Sequence, residues 1–363
     1  METSLDIEVT ATSTPVGDER LAEILANPGF GVHFTDHMFM AEWTPQAGWH
    51  DARVTPYAPL TLDPATAVLH YAQEIFEGMK AYRHADGSVW TFRPEANAAR
   101  MVRSSQRLAL PVLPVGDFVA SVDALVRADE RWVPDAAGEK SLYVRPFMFA
   151  SEAFLGVRPS QHVSYLVIAS PAGAYFAKGL KPVSIWLTEE YTRAGRGGMG
   201  AAKTGGNYAS SLVAQQEATE HGCDQVVFLD ASEGRYVEEL GGMNLYFVHD
   251  DGTVVTPELS GTILEGITRD SIVELCGKLG HRVEERKVSV EEWREGVASG
   301  RITEVFACGT AAVVTPVGVL KWRDGEVGDP ELTGPVTQQV RQNLVDIQYG
   351  RAEDTFGWMH RVV

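Results

Sequence analysis

Three Asp-Gly dipeptides, Asp86-Gly87, Asp251-Gly252 and Asp324-Gly325, each sit between apolar runs, with "SVWTF" after the first and "TVVTP" after the second. Such a pair accepts the positive φ angles of a tight two-residue turn, so the flanking runs read as hairpin partners. Much of the sheet is therefore expected to be antiparallel. Between these turns the apolar spacing becomes helical, in "EANAARMVRSSQRLAL", "DFVASVDALVRADE", "YASSLVAQQEATEH" and "RDSIVELCGKLG". In the last of these Ile272, Leu275, Cys276 and Leu279 fall on one face, as do Val336, Val340, Leu344 and Ile347 near the C-terminus. The stretch "SPAGAYFAKGLKP" (170–182) is rich in small residues, Gly and Pro, and separates the strand-like runs "VSYLVIA" and "VSIWLTEE". The expected organisation is α+β in two domains: residues 1–172, a connecting loop at 173–183, and residues 184–363. A site between two such domains is the natural expectation.

Composition narrows the function. A chain of 363 residues with 44% apolar and 22% charged residues can build substantial cores. A net charge of -18 argues against nucleic acid, which needs a basic footprint, but leaves room for a small anion held by local arginines. No basic start followed by an apolar run marks a signal peptide, and no apolar stretch is long enough to span a bilayer. Cys223, Cys276 and Cys308 are far apart, with neither a disulfide framework nor metal-ligand spacing. A cytoplasmic protein without a metal site is expected.

Lys203 stands in "GGMGAAKTGGNY", with glycines on both sides. A phosphate-cradling P-loop would need glycine immediately before the lysine, where Ala202 stands, and a helix directly after it, where Gly205 and Gly206 intervene. The bland reading is a solvated lysine in a mobile loop. The third is an amine that forms a Schiff base with pyridoxal phosphate. That requires a phosphate anchor, a carboxylate for the pyridine nitrogen and a donor for the phenolic oxygen. Each has a candidate. Gly266, Ile267 and Thr268 open an amphipathic helix, whose N-terminus favours an anion. Arg100 could supply a charged fork. Glu238 and Glu239 precede Gly241 and Gly242, which admit a close ligand, and Tyr208 follows the lysine. Taken singly, Arg100 also reads as an exposed helix residue, the glutamates as a strand edge and Thr268 as a helix cap.

Together these residues resemble the branched-chain amino-acid aminotransferases, which are fold-type IV pyridoxal-phosphate enzymes. The likeness runs from "GVHFTDHMFMAEW" through "HYAQEIFEGMKAYR", "ARMVRSSQRLALP" and "YVRPFMFAS" to "AAKTGGNYASS", "EELGGMNLYF", "LEGITRDS" and "EVFACGTAAVVTPV". It implies a small N-terminal α/β domain, a larger C-terminal domain with a pseudo-barrel sheet, and a homodimer. It further implies that Lys203 forms the Schiff base, Glu239 pairs with the pyridine nitrogen and Tyr208 donates to the phenolic oxygen. Arg100, the amides of Ile267 and Thr268, and Thr310 would hold the phosphate, Arg193 would reach it through water, and Gly242 would lie against the cofactor. The amides of Thr310 and Ala311 would grip the substrate α-carboxylate, with Tyr71 reaching across from the partner subunit. Phe30, Phe76, Tyr143 and Tyr175 would wall the side-chain pocket, and Arg145 would receive the γ-carboxylate of glutamate. The implied reaction moves the amino group of leucine, isoleucine or valine to 2-oxoglutarate by a reversible ping-pong course. D-amino-acid aminotransferase and aminodeoxychorismate lyase activities compete within the fold type. "YVRP" and "FEGMKAY" favour the branched-chain enzyme. One branch of the family carries a redox-active Cys-x-x-Cys pair where this chain has Ala312 and Thr315, so thiol regulation is not expected.

Overall fold

The computed structural model describes residues 3–173 and 181–363. The chain forms two compact units, one of Met1–Tyr175, Ala202–Gly205 and Asp346–Val363, the other of Phe176–Ala201 and Gly206–Val345.

In the first unit the strands are β1 (Glu8–Val9), β2 (His37–Thr44), β3 (Gly48–Pro56), β4 (Glu74–Phe76), β5 (Met79–Arg83), β6 (Val89–Phe92), β7 (Ser141–Ala150) and β8 (Val163–Ala172). With the C-terminal strand Met359–Arg361 they form one sheet in the order β1-β3-β2-β8-β7-β5-β6-C-terminal strand, β4 pairing with β7. Among the described residues only β1 and β3 run parallel; the other pairs are antiparallel. Asp86-Gly87 closes the β5–β6 hairpin, as its sequence demands. Helices α1 (Asp18–Ala26), α2 (Ala67–Tyr71), α3 (Pro94–Arg107) and α4 (Val115–Ala128) complete this unit. Met101 of α3 and Phe118, Val122 and Leu125 of α4 share a core with Leu142, Val144 and Met148 of β7. Successive side chains of a strand alternate faces, so Tyr143, Arg145 and Phe147 project to the opposite side, where they are only half-buried. The C-terminal tail, grouped with the second domain on sequence, belongs here. Its strand pairs with β6, and Val362 enters the core.

The second unit holds β9 (Val183–Leu187), β10 (Gln225–Leu229), β11 (Val237–Leu240), β12 (Asn244–His249), β13 (Val254–Thr256), β14 (Val283–Glu285), β15 (Ile302–Gly309), β16 (Val313–Trp322) and β17 (Gly325–Gly328). Their order is β11-β10-β9-β16-β15-β12-β13-β14, with β17 on β16. The sheet is mixed: β9 runs parallel to both β10 and β16, and β13 parallel to β14. Asp251-Gly252 closes the antiparallel β12–β13 hairpin, whereas the β16–β17 hairpin turns one residue earlier than expected, on Arg323-Asp324, with Gly325 already paired to Trp322. The helices are α5 (Gly205–Ala209), α6 (Leu212–Glu220), α7 (Ile267–Lys278), α8 (Val290–Ser299) and α9 (Pro335–Gln348). The stretch expected as one helix from Tyr208 onward breaks between α5 and α6. There the Ser210 and Ser211 hydroxyls donate to the carbonyls of Asn207 and Tyr208, competing with helix continuation. Most of the loop expected at 173–183 lies outside the described residues.

Candidate active site

Glycine neighbours make the Lys203 segment look loose, but the contacts of the first unit hold it residue by residue. The Lys203 amide donates to Ser104 Oγ of α3 at 3.0 Å, and its carbonyl accepts from the Phe76 amide of β4 at 3.0 Å. Thr204 is fully buried, and its hydroxyl donates to Glu74 Oε1 at 3.2 Å. The Gly205 amide donates to the same oxygen. A Cβ on residue 205 would stand 2.5 Å from that oxygen, so glycine serves close approach here. The main chain of the lysine segment is thus fixed at three consecutive residues.

Lys203 Nζ lies 4.7 Å from the centroid of the Phe76 ring, and the Arg145 guanidinium lies 4.7 Å from the same centroid. An amine and a guanidinium thus share one aromatic surface, a cation–π arrangement for each. Arg145 Nη2 donates to the Tyr143 hydroxyl at 3.0 Å, and Phe30 packs against the Tyr143 ring at 5.1 Å. Arg145 Nε is buried and has no hydrogen-bond partner. Four of the expected pocket residues, Phe30, Phe76, Tyr143 and Arg145, are therefore neighbours; Tyr175 lies outside the described residues. Tyr71, at the end of α2, is 41% exposed. Arg100 is not the exposed helix residue of the bland reading. It is buried, and its Nε and Nη2 form a bidentate pair with Glu77 at 2.8 and 2.7 Å. Asn97 Nδ2 adds a bond to the same carboxylate.

In the second unit Glu239 is almost wholly buried and accepts on Oε1 from the Leu264 amide at 2.7 Å and from Arg193 Nη2 at 2.6 Å. The same Nη2 donates to the carbonyls of Gly200 and Thr262. Arg193, expected near the phosphate, thus has its guanidinium at the carboxylate. Glu238 accepts from the Thr262 hydroxyl, and burial pushes its carboxyl above the usual range. Gly242 admits the Tyr208 ring, which stands 3.5 Å from where a Cβ would be. Gly266 precedes α7 without a side-chain cap, so the amides at Ile267 and Thr268 begin a helix whose first donors have no helical acceptor. Thr310 and Ala311 lie in the short loop of the β15–β16 hairpin, closed by the Gly309–Val313 pair. Val313 has φ +62°, a left-handed conformation costing a β-branched residue about 1–3 kcal/mol. The strain falls on the turn that presents these two residues.

The chain matches the amino-transferase class IV family over residues 74–320. A probable branched-chain-amino-acid aminotransferase of Streptomyces coelicolor is 58% identical over 365 residues, 99% of either chain. The branched-chain-amino-acid aminotransferase of Mycobacterium tuberculosis is 54% identical over 366 residues, again 99% of each. The crystal structure of the Escherichia coli branched-chain amino acid aminotransferase has a TM-score of 0.75 at 29% identity, covering 90% of this chain and 99% of that one. The chain belongs to the branched-chain amino-acid aminotransferase family of class IV. The Thermobaculum terrenum branched-chain amino acid aminotransferase, solved in its PLP form, has a TM-score of 0.72 at 25% identity, covering 90% and 98%.

As an aminotransferase of this family, the protein uses residues that its sequence did not advertise. Glu77 stands inside "FEGMKAY", yet its pairing with Arg100 of α3 joins residues 23 positions apart. Glu74 and Ser104, which hold the lysine segment, carry no local signal beyond a carboxylate between a glutamine and an isoleucine and a serine on a helix. The three cysteines are free and buried. Burial raises the Cys276 thiol to about 12 and that of Cys308 further still, which leaves both unreactive.

Proposed function

We propose that the chain transfers the amino group of leucine, isoleucine or valine to 2-oxoglutarate, reversibly, with pyridoxal 5'-phosphate as cofactor and Lys203 as its Schiff-base residue. The observation that carries this reading is the pairing of Lys203 and Arg145 on the Phe76 ring, with Arg145 Nε unpartnered. One group is the amine that the chemistry needs; the other offers a charged donor to a second carboxylate. Support comes from the Thermobaculum terrenum enzyme, solved in a PLP form. A further solved branched-chain amino acid aminotransferase is complexed with N-(5'-phosphopyridoxyl)-L-glutamate.

The donor set fits this cofactor. Glu239, held by a guanidinium and an amide, would face the pyridine nitrogen, and Tyr208, against Gly242, the phenolic oxygen. The uncapped start of α7 at Ile267 and Thr268, with Arg100 and Thr310, would receive the phosphate. Arg193 would act chiefly through Glu239. When bound, the cofactor supplies an electron sink for the Cα carbanion. Lys203 would take the proton from the substrate Cα and hold it for redelivery. The Thr310 and Ala311 amides orient the α-carboxylate. Phe30, Phe76, Tyr143 and Tyr175 bury the aliphatic chain at about 0.8 kcal/mol per CH₂. Tyr71 would complete the carboxylate grip of a partner subunit in a homodimer, consistent with exposed apolar residues at Leu69, Tyr71, Leu155 and Val157. No helix among the described residues is long and apolar enough to cross a membrane, in keeping with a cytoplasmic enzyme.

The test is spectroscopic. Purified protein should show a visible imine band that converts to a pyridoxamine band on adding leucine and returns with 2-oxoglutarate. Lys203→Ala should stay folded and lose turnover. Substantial transaminase activity in that variant would defeat the assignment.

A further inference from the structure

Two adjacent glutamates leave β11 on opposite faces, because successive side chains of a strand alternate. The proposed chemistry uses Glu239 only. Glu238 is likewise buried, at 4% exposure, and its Oε2 has no hydrogen-bond partner. Keeping a polar group in so dry a place is costly unless a contact compensates. Glu238 makes one such contact: its Oε1 accepts from the Thr262 hydroxyl, which lies 2.6 Å from the Ser260 hydroxyl. Because β11 ends the order of its sheet, one loop beside that edge can address both faces. Residues 260–264 do so. Thr262 binds Glu238, and two residues further on the Leu264 amide donates to Glu239 Oε1 at 2.7 Å. The Thr262 carbonyl also accepts from Arg193 Nη2, the atom that lies 2.6 Å from the same Glu239 oxygen. Both of these donors to Glu239 therefore depend on where the loop sits. A Cβ on residue 200 would collide with the Thr262 main chain, so the loop is closely packed on that side as well.

We propose that Glu238 is a positioning residue for Glu239: through the Thr262 hydroxyl it fixes the 260–264 loop, and with it the amide and the guanidinium that stabilise Glu239 as a carboxylate. The inference rests on the reading above, in which Glu239 faces the pyridine nitrogen of the cofactor. A proton between a carboxylate and a pyridine nitrogen goes to the more basic of the two. Donors to the ionised carboxylate lower its proton affinity, so the proton stays on the nitrogen. Without the Thr262–Glu238 bond the loop is released and both donors loosen. Glu239 then becomes more basic, and the proton moves towards its oxygen. Glu238 acts by accepting a hydrogen bond, not by its charge, so an uncharged acceptor of the same shape serves in its place.

The experiment uses holoenzyme reconstituted with pyridoxal 5'-phosphate isotopically labelled at the ring nitrogen. The chemical shift of that nitrogen differs between its protonated and neutral forms, so the proton is read without turnover. Wild type should show the protonated form. Thr262→Val and Glu238→Leu each end the bond from one side, and each should move the signal towards the neutral form. Each should also lower kcat for leucine about tenfold, on the order of one hydrogen bond to a charged group, with KM nearly unchanged. The double variant should be no worse than either single one, because both remove the same contact. Thr262→Ser and Glu238→Gln keep the donor and the acceptor, and should restore the wild-type signal. A protonated nitrogen in both Thr262→Val and Glu238→Leu overturns the positioning role, and so does an additive loss in the double variant. Glu238→Gln as impaired as Glu238→Leu overturns the hydrogen-bond account. If Glu238→Leu fails to fold, the comparison of Thr262→Val with Thr262→Ser decides alone. Wild type that shows the protonated nitrogen yet moves no amino group from leucine would instead defeat the reaction reading.

Discussion

Glu239 accepts a guanidinium and an amide on one oxygen, and both Arg193 and Glu239 side chains are less than a twentieth exposed. Removing the arginine leaves a buried carboxylate without its cation. Arg193→Ala is therefore expected to cost about 3–5 kcal/mol in chemical denaturation, far more than a surface substitution. On the proposed reading Glu239 faces the pyridine nitrogen, so Glu239→Gln keeps size and hydrogen-bonding reach but would not hold that nitrogen protonated. Each pKa unit lost there is worth about 1.4 kcal/mol. Its kcat for leucine should fall by about a hundredfold or more, with a larger isotope effect from Cα-deuterated leucine. A near-normal Glu239→Gln beside a dead Glu238→Gln would place the pyridine nitrogen at the neighbouring glutamate. The sequence offered both glutamates as a strand edge. The family resemblance singled out Glu239, and the fold supplies the physical difference: Arg193 and the Leu264 amide come to Glu239 from remote segments.

Helix ends show which signals can be read locally. Ser289 caps α8 by accepting from the Glu292 amide at 3.1 Å, a bond contained in four consecutive residues. Ser289→Ala should lower stability by about 1 kcal/mol, measured by urea unfolding. The start of α9 is capped instead by Glu304, which accepts from the Val336 amide at 3.0 Å and the Thr337 amide at 2.8 Å across as many as 33 positions. No window of sequence contains that cap. The same contrast explains the rest. Asp-Gly turns and amphipathic faces are local, so the three hairpins and most helices could be read directly, with the β16–β17 turn displaced by one residue. The hold on Lys203 is assembled from β4 and α3, so a glycine-rich stretch suggested mobility where there is restraint.

At the scale of the molecule, activity should require association, if Tyr71 completes a partner's site. Mixing inactive Lys203→Ala and Tyr71→Ala chains under subunit exchange should restore some transamination, whereas a fully active monomer on sizing would refute the arrangement. A second expectation concerns pH. His360 Nε2 lies 3.0 Å from Asp123 Oδ2, and that carboxylate raises the imidazole above its ordinary 6.5. A raised folded value means that this contribution is fully present below pH 6.5 and is lost as pH climbs through the shifted value. Amide exchange in the C-terminal strand, corrected for its intrinsic pH dependence, should accelerate across that window, and His360→Ala should abolish the step.

That terminal strand also sets an order of events during synthesis. Residues 359–361 pair with β6, yet the ribosome makes them after the whole of the second unit. A nascent chain must carry β6 with one edge unpaired through most of translation, and such an edge invites pairing with another chain. Deleting the last few residues would make that transient hazard permanent. The expected result is a protein made at normal rate that collects in the insoluble fraction, rather than a soluble enzyme with a damaged site.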